Sequence, residues 1–405
     1  MISVEEAQRI VLNSGLKPGI QRLPILESLG LTLAEDIISS DDIPIYDNSA
    51  MDGYAVRAID IKGAEKSYPI RLVLMGEDIP AGRIPKSTVN PGFCMPIMTG
   101  APLPNGADSV VMKEDTQRDA GSVMVFREIE KGENVRYRSE DIKKGSTVFR
   151  KGDNINPATI GVLASLGIGE VKVYRPPLVG VLATGDELIR IDEKLIAGKV
   201  RDSNSYSLSA QVKEMGMEYR RFGTIVDDET LLLKKIKEAL GECDILLLSG
   251  GISVGDYDLV KDTLEGIGAK LIFWRVNQKP GKPLAFFKYG NKYIFGLPGN
   301  PVSVMVCFEM YVRPMIRKSM GYDNFFRPEV IAEALDDFKN KTGRVNFARI
   351  IVENKDGKYF FKSTGMQGSG ILTSMAKANG IARFPADMGN VVKGSKVKVY
   401  LLGEL

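Results

Sequence analysis

The sequence contains no histidine, and this absence removes Ser-His-Asp and Cys-His nucleophilic chemistry together with every histidine-ligated metal site. Any metal must then be held mainly by oxygen, which favours magnesium or a similar hard cation. Cysteine is scarce. Cys94, Cys243 and Cys307 are odd in number, far apart and form no CxxC, which argues against both a disulfide framework and a thiolate zinc site. A reducing cytoplasm is the expected compartment. No stretch approaches the ~20 apolar residues needed to cross a bilayer. The opening MISVEEAQRI also carries acids where a signal peptide needs an uninterrupted apolar stretch, so a soluble protein with no membrane association is expected. Charge of one sign is missing as well: 54 Lys and Arg stand against 51 Asp and Glu, and the formal +3 gives no general field for nucleic acid. Anion binding must therefore be local.

What is present is more than one ordinary core. At roughly 150 residues per domain, a chain of 405 residues suggests about three domains. Ser3 and Glu6 stand in capping-box spacing before a helical face of Ala7, Ile10 and Val11 that ends near Gly15. ILESLG after Pro24 reads as a helix and LTLAEDI as a strand. From Tyr46 to about Lys144 the character is β-dominated, with VVMKEDT and SVMVFREI flanking Asp119, Ala120 and Gly121 as a hairpin. Asn156-Pro157 starts a helix that Gly167 ends, and Pro176-Pro177 marks the preferred domain boundary.

From Leu178 to about Gly321 strands and helices alternate, which implies a doubly wound, mostly parallel sheet. The strands are LVGVLA, 219–226, ILLL, 271–276, 284–287 and 293–295. The helices span Ser203 to Gly216 and Glu229 to Leu240, another follows ILLL, and a further one starts at Pro301 and is kinked or stopped by Pro314. Past Gly321 short strands return: RVNFARIIVE and KYFFKS are joined by Asp356-Gly357, a strong two-residue hairpin signal, and a small β-barrel is the expected tail.

Three strands of the α/β region end in unusual loops: TGDEL, SGGISVGDYD and LPGNP. In a parallel sheet these loops meet outside the carboxyl ends of the strands, where such folds bind ligands. Backbone N–H groups of Gly250, Gly251 and the helix from Pro301 suit phosphate. Ser249, Ser253, Pro298 and Asn300 share those loops and join the cofactor-binding candidates. Each loop alone has a plainer explanation, since Gly-Gly often simply ends a strand, Asn300-Pro301 is an ordinary helix start and Asp186 suits a cap. Three on one sheet favour a pocket. Glu187, Asp227 and Asp258 lie at predicted strand ends and could converge on magnesium, although an Asp pair before Glu229 is also what helix capping requires. In NQKPGKPLAFF, Lys279 and Lys282 flank a stiff Pro-Gly turn and can face one anion. Ser369 and Gly370 precede ILTSMAKANG, which reads either as an anion site at a helix start or as simple capping by Ser369. In the first β module, Asp52 lies before Gly53 and Thr99 before a proline-containing loop, and Asp-Gly by itself is an ordinary turn. ENVRYRSEDIKKG mixes bases and acids and by itself reads as a charged hairpin.

NSAMDGYA, IMTGAPLPNGADSVVMKEDT, ENVRYRSEDIKKG, LATGDEL, RDSNSYSL, SGGISVGDYD, KPGKP and FGLPGNPVS, in this order, resemble the molybdopterin molybdenumtransferase family (MoeA, and the E domain of gephyrin). GRVNFARI and QGSGILTSMAKANGI extend the resemblance through the tail. It implies four modules: an elongated α+β module from residues 1–45 and 145–175, an inserted β module at 46–144, an α/β molybdopterin-nucleotide-binding domain at 176–325, and a C-terminal β-barrel at 326–405. It also implies a homodimer whose shared active site lies between the α/β domain of one subunit and the inserted module of the other.

The reaction implied takes adenylylated molybdopterin and molybdate, inserts molybdenum at the dithiolene and releases AMP with Mg2+ or a similar divalent cation. By family position Asp52, Thr99, Asp141, Glu187, Asp227 and Asp258 are the functional candidates, and Lys279, Lys282, Arg349 and Ser369 those for molybdate. Two residues depart from the pattern: Pro96 stands where many relatives have Arg, removing a positive charge near Thr99, and Ser139 stands where they usually have Gly. Rival readings are molybdopterin adenylyltransferase, tungstate-specific insertion and a gephyrin-like scaffold that binds a peptide partner. The adenylyltransferase is also a candidate partner.

Overall fold

The computed structural model describes residues 1–17, 19–76, 78–251 and 259–403. Two units arise from the chain: one comprises Met1–Glu35, Gly152–Ile160 and Gly169–Leu405, the other Asp36–Lys151 and Gly161–Ile168.

In the first unit, helix Val4–Leu12 begins as its sequence dictates. Ser3 Oγ accepts the Glu6 amide at 3.0 Å, and Val4, Ala7 and Val11 are buried on one face. The centre of this unit is a six-stranded sheet in the order Tyr219–Ile225, Val179–Thr184, Ile245–Ser249, Lys292–Leu297, Ala285–Tyr289, Lys270–Trp274. The first four strands are parallel and Ala285–Tyr289 runs antiparallel to both neighbours. Both faces are covered, which explains why Val179–Thr184 and Ile245–Ser249 are buried at every position rather than at alternate ones. Val181, Leu247 and Phe295 face a core shared with helices Asn204–Glu214 and Pro301–Cys307; Leu182, Leu246 and Ile294 face helices Glu229–Glu242 and Leu259–Gly266.

The tail closes on itself. Val345–Lys355, Lys358–Ser363, Glu329–Ala334, Lys396–Leu401 and Gly380–Phe384 pair in succession, and Gly380–Phe384 returns to Val345–Lys355, giving a five-stranded barrel around Phe361, Phe384 and Val399. Its hairpin turns on Asp356 and Gly357, both with positive φ (52° and 76°), as a type I′ turn requires. A two-residue ladder, Gln278–Lys279 with Val345–Asn346, ties the lysine loop to this barrel.

The second unit holds another six-stranded sheet, ordered Ser109–Met112, Gly53–Val56, Phe93–Ile97, Ile70–Leu74, Ser122–Val125, Thr116–Asp119. Its two edge strands are consecutive in the chain, joined by the 3-10 turn Lys113–Asp115, so the sheet curls round on itself.

Three local expectations need correction, and at Pro314 one of two alternatives is excluded. VVMKEDT is not one strand: Val110–Met112 belong to one edge strand, Lys113–Asp115 form the 3-10 turn, and Thr116 opens the strand at the opposite edge. LTLAEDI forms only Ile37–Ile38 plus isolated bridges at Thr32 and Leu33. ILESLG forms a single 3-10 turn, Ile25–Ser28, ended by the extended backbone of Leu29. Pro314 does not stop its helix. The chain passes through a π-helical segment, Phe308–Val312, and continues as Arg313–Ser319; the widened turn lies where the proline ring would otherwise strike the carbonyl four residues back. Among the described residues no helix is long and apolar enough to cross a membrane.

Candidate functional site

The parallel register sets the three strand-end loops side by side. Ala183, Ser249 and Leu297 are neighbours across three strands, so the loops that follow leave the same edge of the sheet. Gly250 has φ 90° and donates its N–H to the Leu297 carbonyl at 3.3 Å; a Cβ there would collide with the Thr184 carbonyl of the adjacent strand. Glycine is therefore required at this position by both backbone angle and space. Asn204, at the start of its helix, laces two of the loops together by donating to Ser249 Oγ at 2.9 Å and to the Gly299 carbonyl at 2.7 Å. Its side-chain oxygen, Oδ1, is buried with no hydrogen-bond partner among the described residues.

Carboxylates gather beside this edge. Asp228, not Asp227, caps helix Glu229–Glu242, accepting from the Leu231 amide at 2.8 Å. Asp227 is exposed, accepts from the Thr184 hydroxyl at 2.7 Å and donates its amide to Asp186 Oδ1 at 3.0 Å. Asp186 is thereby a loop tie, and the Asp227 carboxylate stays exposed beside it. Glu187 is exposed in the same loop as Asp186. Asp258 and Ser253 lie outside the described residues, and among the described residues no group of three or more Asp, Glu, Cys or His side chains is placed to hold a metal.

A neighbouring pocket of about 520 Å³ is walled by the lysine loop, the start of helix Pro301–Cys307 and the barrel; Lys279, Lys282, Asn300, Arg344, Gln367 and Ser369 line it. Asn300 occupies the cap position but its side chain makes no cap hydrogen bond, which leaves it available to the pocket. Pro298 is buried just before it. Ser369 does not cap the short helix Leu372–Ala376; its carbonyl instead accepts the Val302 amide at 3.1 Å, which brings the barrel loop onto the helix start. Arg349 does not line the pocket. It is 1% exposed beneath it, donating Nη2 to the Gly368 carbonyl at 3.0 Å and Nε to Ser374 Oγ at 3.1 Å, and burial pushes its guanidinium down to about 10.

In the second unit Asp52 and Thr99 meet: Oδ1 of Asp52 accepts the Thr99 amide at 2.7 Å and its hydroxyl at 2.8 Å. These two bonds, the amide first, hold the carboxyl below its usual range, with Lys113 assisting. Pro96 is buried in strand Phe93–Ile97 and lines a pocket of about 140 Å³ with Asp52; Lys113 and Arg118 line the same pocket and carry the positive charge there. Asp141 is exposed in this unit, its amide bound to the Ile43 carbonyl at 3.1 Å. Ser139, two residues before it, has φ 61°.

Three family models match the chain in succession: the MoeA N-terminal region (domain I and II) over residues 2–167, a probable molybdopterin binding domain over 180–318, and the MoeA C-terminal region (domain IV) over 332–402. A Haemophilus influenzae protein named molybdopterin molybdenumtransferase is 36% identical over 100% of this chain and 100% of its own length. The chain belongs to the molybdopterin molybdenumtransferase (MoeA) family. A Nostoc protein of the same name is 36% identical, covering 99% of this chain and 94% of its own. The crystal structure of a molybdopterin biosynthesis MoeA protein from Pyrococcus horikoshii matches with a TM-score of 0.84 at 33% identity, over 99% of this chain and 100% of that one. The α/β domain of molybdopterin-binding type and the closed tail barrel are therefore MoeA architecture, and membership makes this chain a transferase with a role in molybdenum cofactor biosynthesis.

Asn204, Gln278, Ser303, Arg344 and Gln367 were not singled out by sequence reasoning, though all but Asn204 line the lysine pocket. Asn204, Ser303, Arg344 and Gln367 lie inside family motifs, RDSNSYSL, FGLPGNPVS, GRVNFARI and QGSGILTSMAKANGI, and could have been found there. Gln278 sits beside KPGKP with nothing local to mark it.

Proposed function

We propose that this chain inserts molybdenum into adenylylated molybdopterin, taking molybdate and releasing AMP with Mg2+. The observation that carries the reading is the pairing, within one unit, of a glycine-lined sheet edge suited to a phosphoanhydride with a lysine-walled pocket suited to a tetrahedral dianion. Backbone N–H groups of the Gly250 and Pro301 loops would hold phosphate oxygens, while Lys279 and Lys282, with Arg344 and Ser369 opposite, would hold molybdate. As a water oxygen bonds to the pterin-side phosphorus, releasing its proton to solvent, and the bridging P–O bond breaks, these fixed donors stabilise the charge gained by the departing AMP, with no histidine base required. Glu187 and Asp227 fit a hard cation, since both are exposed carboxylates and one is oriented by Thr184. Bound there, Mg2+ would neutralise charge on the phosphate oxygens.

The reading includes the four modules bounded as above and a cytoplasmic homodimer, in which Asp52, Thr99 and Asp141 of one subunit serve the α/β domain of the other. Incubation with adenylylated molybdopterin, molybdate and magnesium should release AMP in proportion to molybdenum inserted. Absence of AMP at every metal concentration rejects the reading, whereas ATP consumption with the unadenylylated pterin would replace it with adenylyl transfer. Sedimentation at micromolar protein tests the dimer, and parallel reactions with tungstate test the choice of oxyanion.

A further inference from the structure

The lysine loop is held from below by a side chain of unusual placement. Gln278 is fully buried, and its Nε2 donates to the Pro280 carbonyl at 3.1 Å and the Gly281 carbonyl at 3.2 Å. The next carbonyl, Lys282, accepts the Val276 and Leu284 amides at 3.0 Å each. Three successive carbonyls of KPGKP are thus turned towards the protein interior, and the negative ends of their peptide dipoles point away from any anion above the loop. Close contact enforces the arrangement: Gly281 has φ 87°, and a Cβ there would lie 2.5 Å from Cys307 Sγ and 2.7 Å from Gln278 Nε2. The amide is itself oriented. Tyr311, fully buried, donates its hydroxyl to Gln278 Oε1, so the opposite amide orientation, which would set Oε1 against two carbonyl oxygens, is disfavoured. Burial raises the Tyr311 hydroxyl well above its ordinary range, so it stays protonated as a donor. Tyr311 lies within the π-helical segment Phe308–Val312, an irregularity often kept at functional sites.

We infer that Gln278, locked by Tyr311, is a positioning residue for oxyanion binding: it draws the loop carbonyls inward so that Lys279 and Lys282 present a purely positive edge to the pocket. Its own donors are spent on the loop, so it acts through the lysines rather than on the ligand. This inference rests on the reading of the pocket as the molybdate site.

Isothermal titration of the full-length protein with molybdate, alongside steady-state kinetics, tests it. Gln278→Met keeps the volume and removes the donor; its molybdate Kd and the KM for molybdate should rise about tenfold, the worth of one to two hydrogen bonds. The KM for the pterin nucleotide should stay unchanged. Tyr311→Phe should give a smaller rise of about threefold in the same two constants, and it carries the test should the Met variant fail to fold. Wild-type molybdate affinity in either folded variant, or equal losses for molybdate and nucleotide, overturns the inference while leaving the pocket assignment standing. A wild-type protein that binds no molybdate overturns both.

Discussion

Asp52 and Thr99, 47 residues apart, share a two-point hydrogen bond in which one carboxylate oxygen takes both the amide and the hydroxyl of the threonine. The pairing fixes the carboxylate in its ionised form. Thr99→Val removes the hydroxyl but keeps the amide, so the Asp52 carboxyl should move up towards the ordinary Asp value, as a carbon-detected NMR titration would show. The sign for stability follows from the lowered carboxyl: its contribution is present above the ordinary Asp range and is lost as pH falls through the lowered value. In the variant that loss should begin at higher pH, and a titration curve superposing on the wild type would rule the hydroxyl out as a cause.

Gly250→Ala tests how firmly the strand-end loop is set. The left-handed backbone alone costs ~1–2 kcal/mol for a residue with a Cβ, and collision with the Thr184 carbonyl adds to it. A stability loss above ~2 kcal/mol in urea and at least tenfold weaker nucleotide binding are expected. Unchanged unfolding midpoints would mean that the loop has room the geometry denies.

Asp227 and Asp228 are adjacent but do different jobs. Asp228→Ala removes a helix cap and should cost ~1 kcal/mol of stability with little change in turnover at saturating magnesium. Asp227→Asn should leave stability near the wild type and lower turnover about a hundredfold. The reverse pattern, read from urea melts and AMP release, would transfer the functional role to Asp228.

Ser139 occupies a left-handed position, φ 61°, where glycine would be unstrained. Ser139→Gly should raise stability by ~0.5–1 kcal/mol without altering turnover, since the serine amide bond to the Pro44 carbonyl at 2.9 Å is kept. A drop in the thermal midpoint would show that the serine hydroxyl contributes more than its strain costs.

The parts legible in the sequence are those whose cause is local. The Asp356-Gly357 hairpin, the Ser3 cap and the runs that form fully buried strands each need only a few neighbouring residues to declare themselves, and the ordered motifs name the family. Side chains whose partners are distant leave no such signal. Asn204 binds Ser249 and Gly299, 45 and 95 positions away, and Gln278 receives the hydroxyl of Tyr311, 33 positions on. Arg349 illustrates the converse: a cation in a family motif suggests a ligand contact, whereas its guanidinium is turned under the 367–369 loop. The division of VVMKEDT between two sheet edges likewise depends on strands that periodicity alone does not pair.

The short ladder between Gln278–Lys279 and Val345–Asn346 has a consequence for how this chain can change. A slip of one residue would exchange the buried Val345 for the half-buried Asn346 and displace Arg344 on the pocket wall, so length changes that reach 343–346 should be rejected. Turns such as Asp356–Gly357 line no part of that pocket and can accept insertions. A tag or fused domain is therefore best placed in the far turns of the barrel, while recombination between homologues should carry the lysine loop and residues 343–346 together as one block.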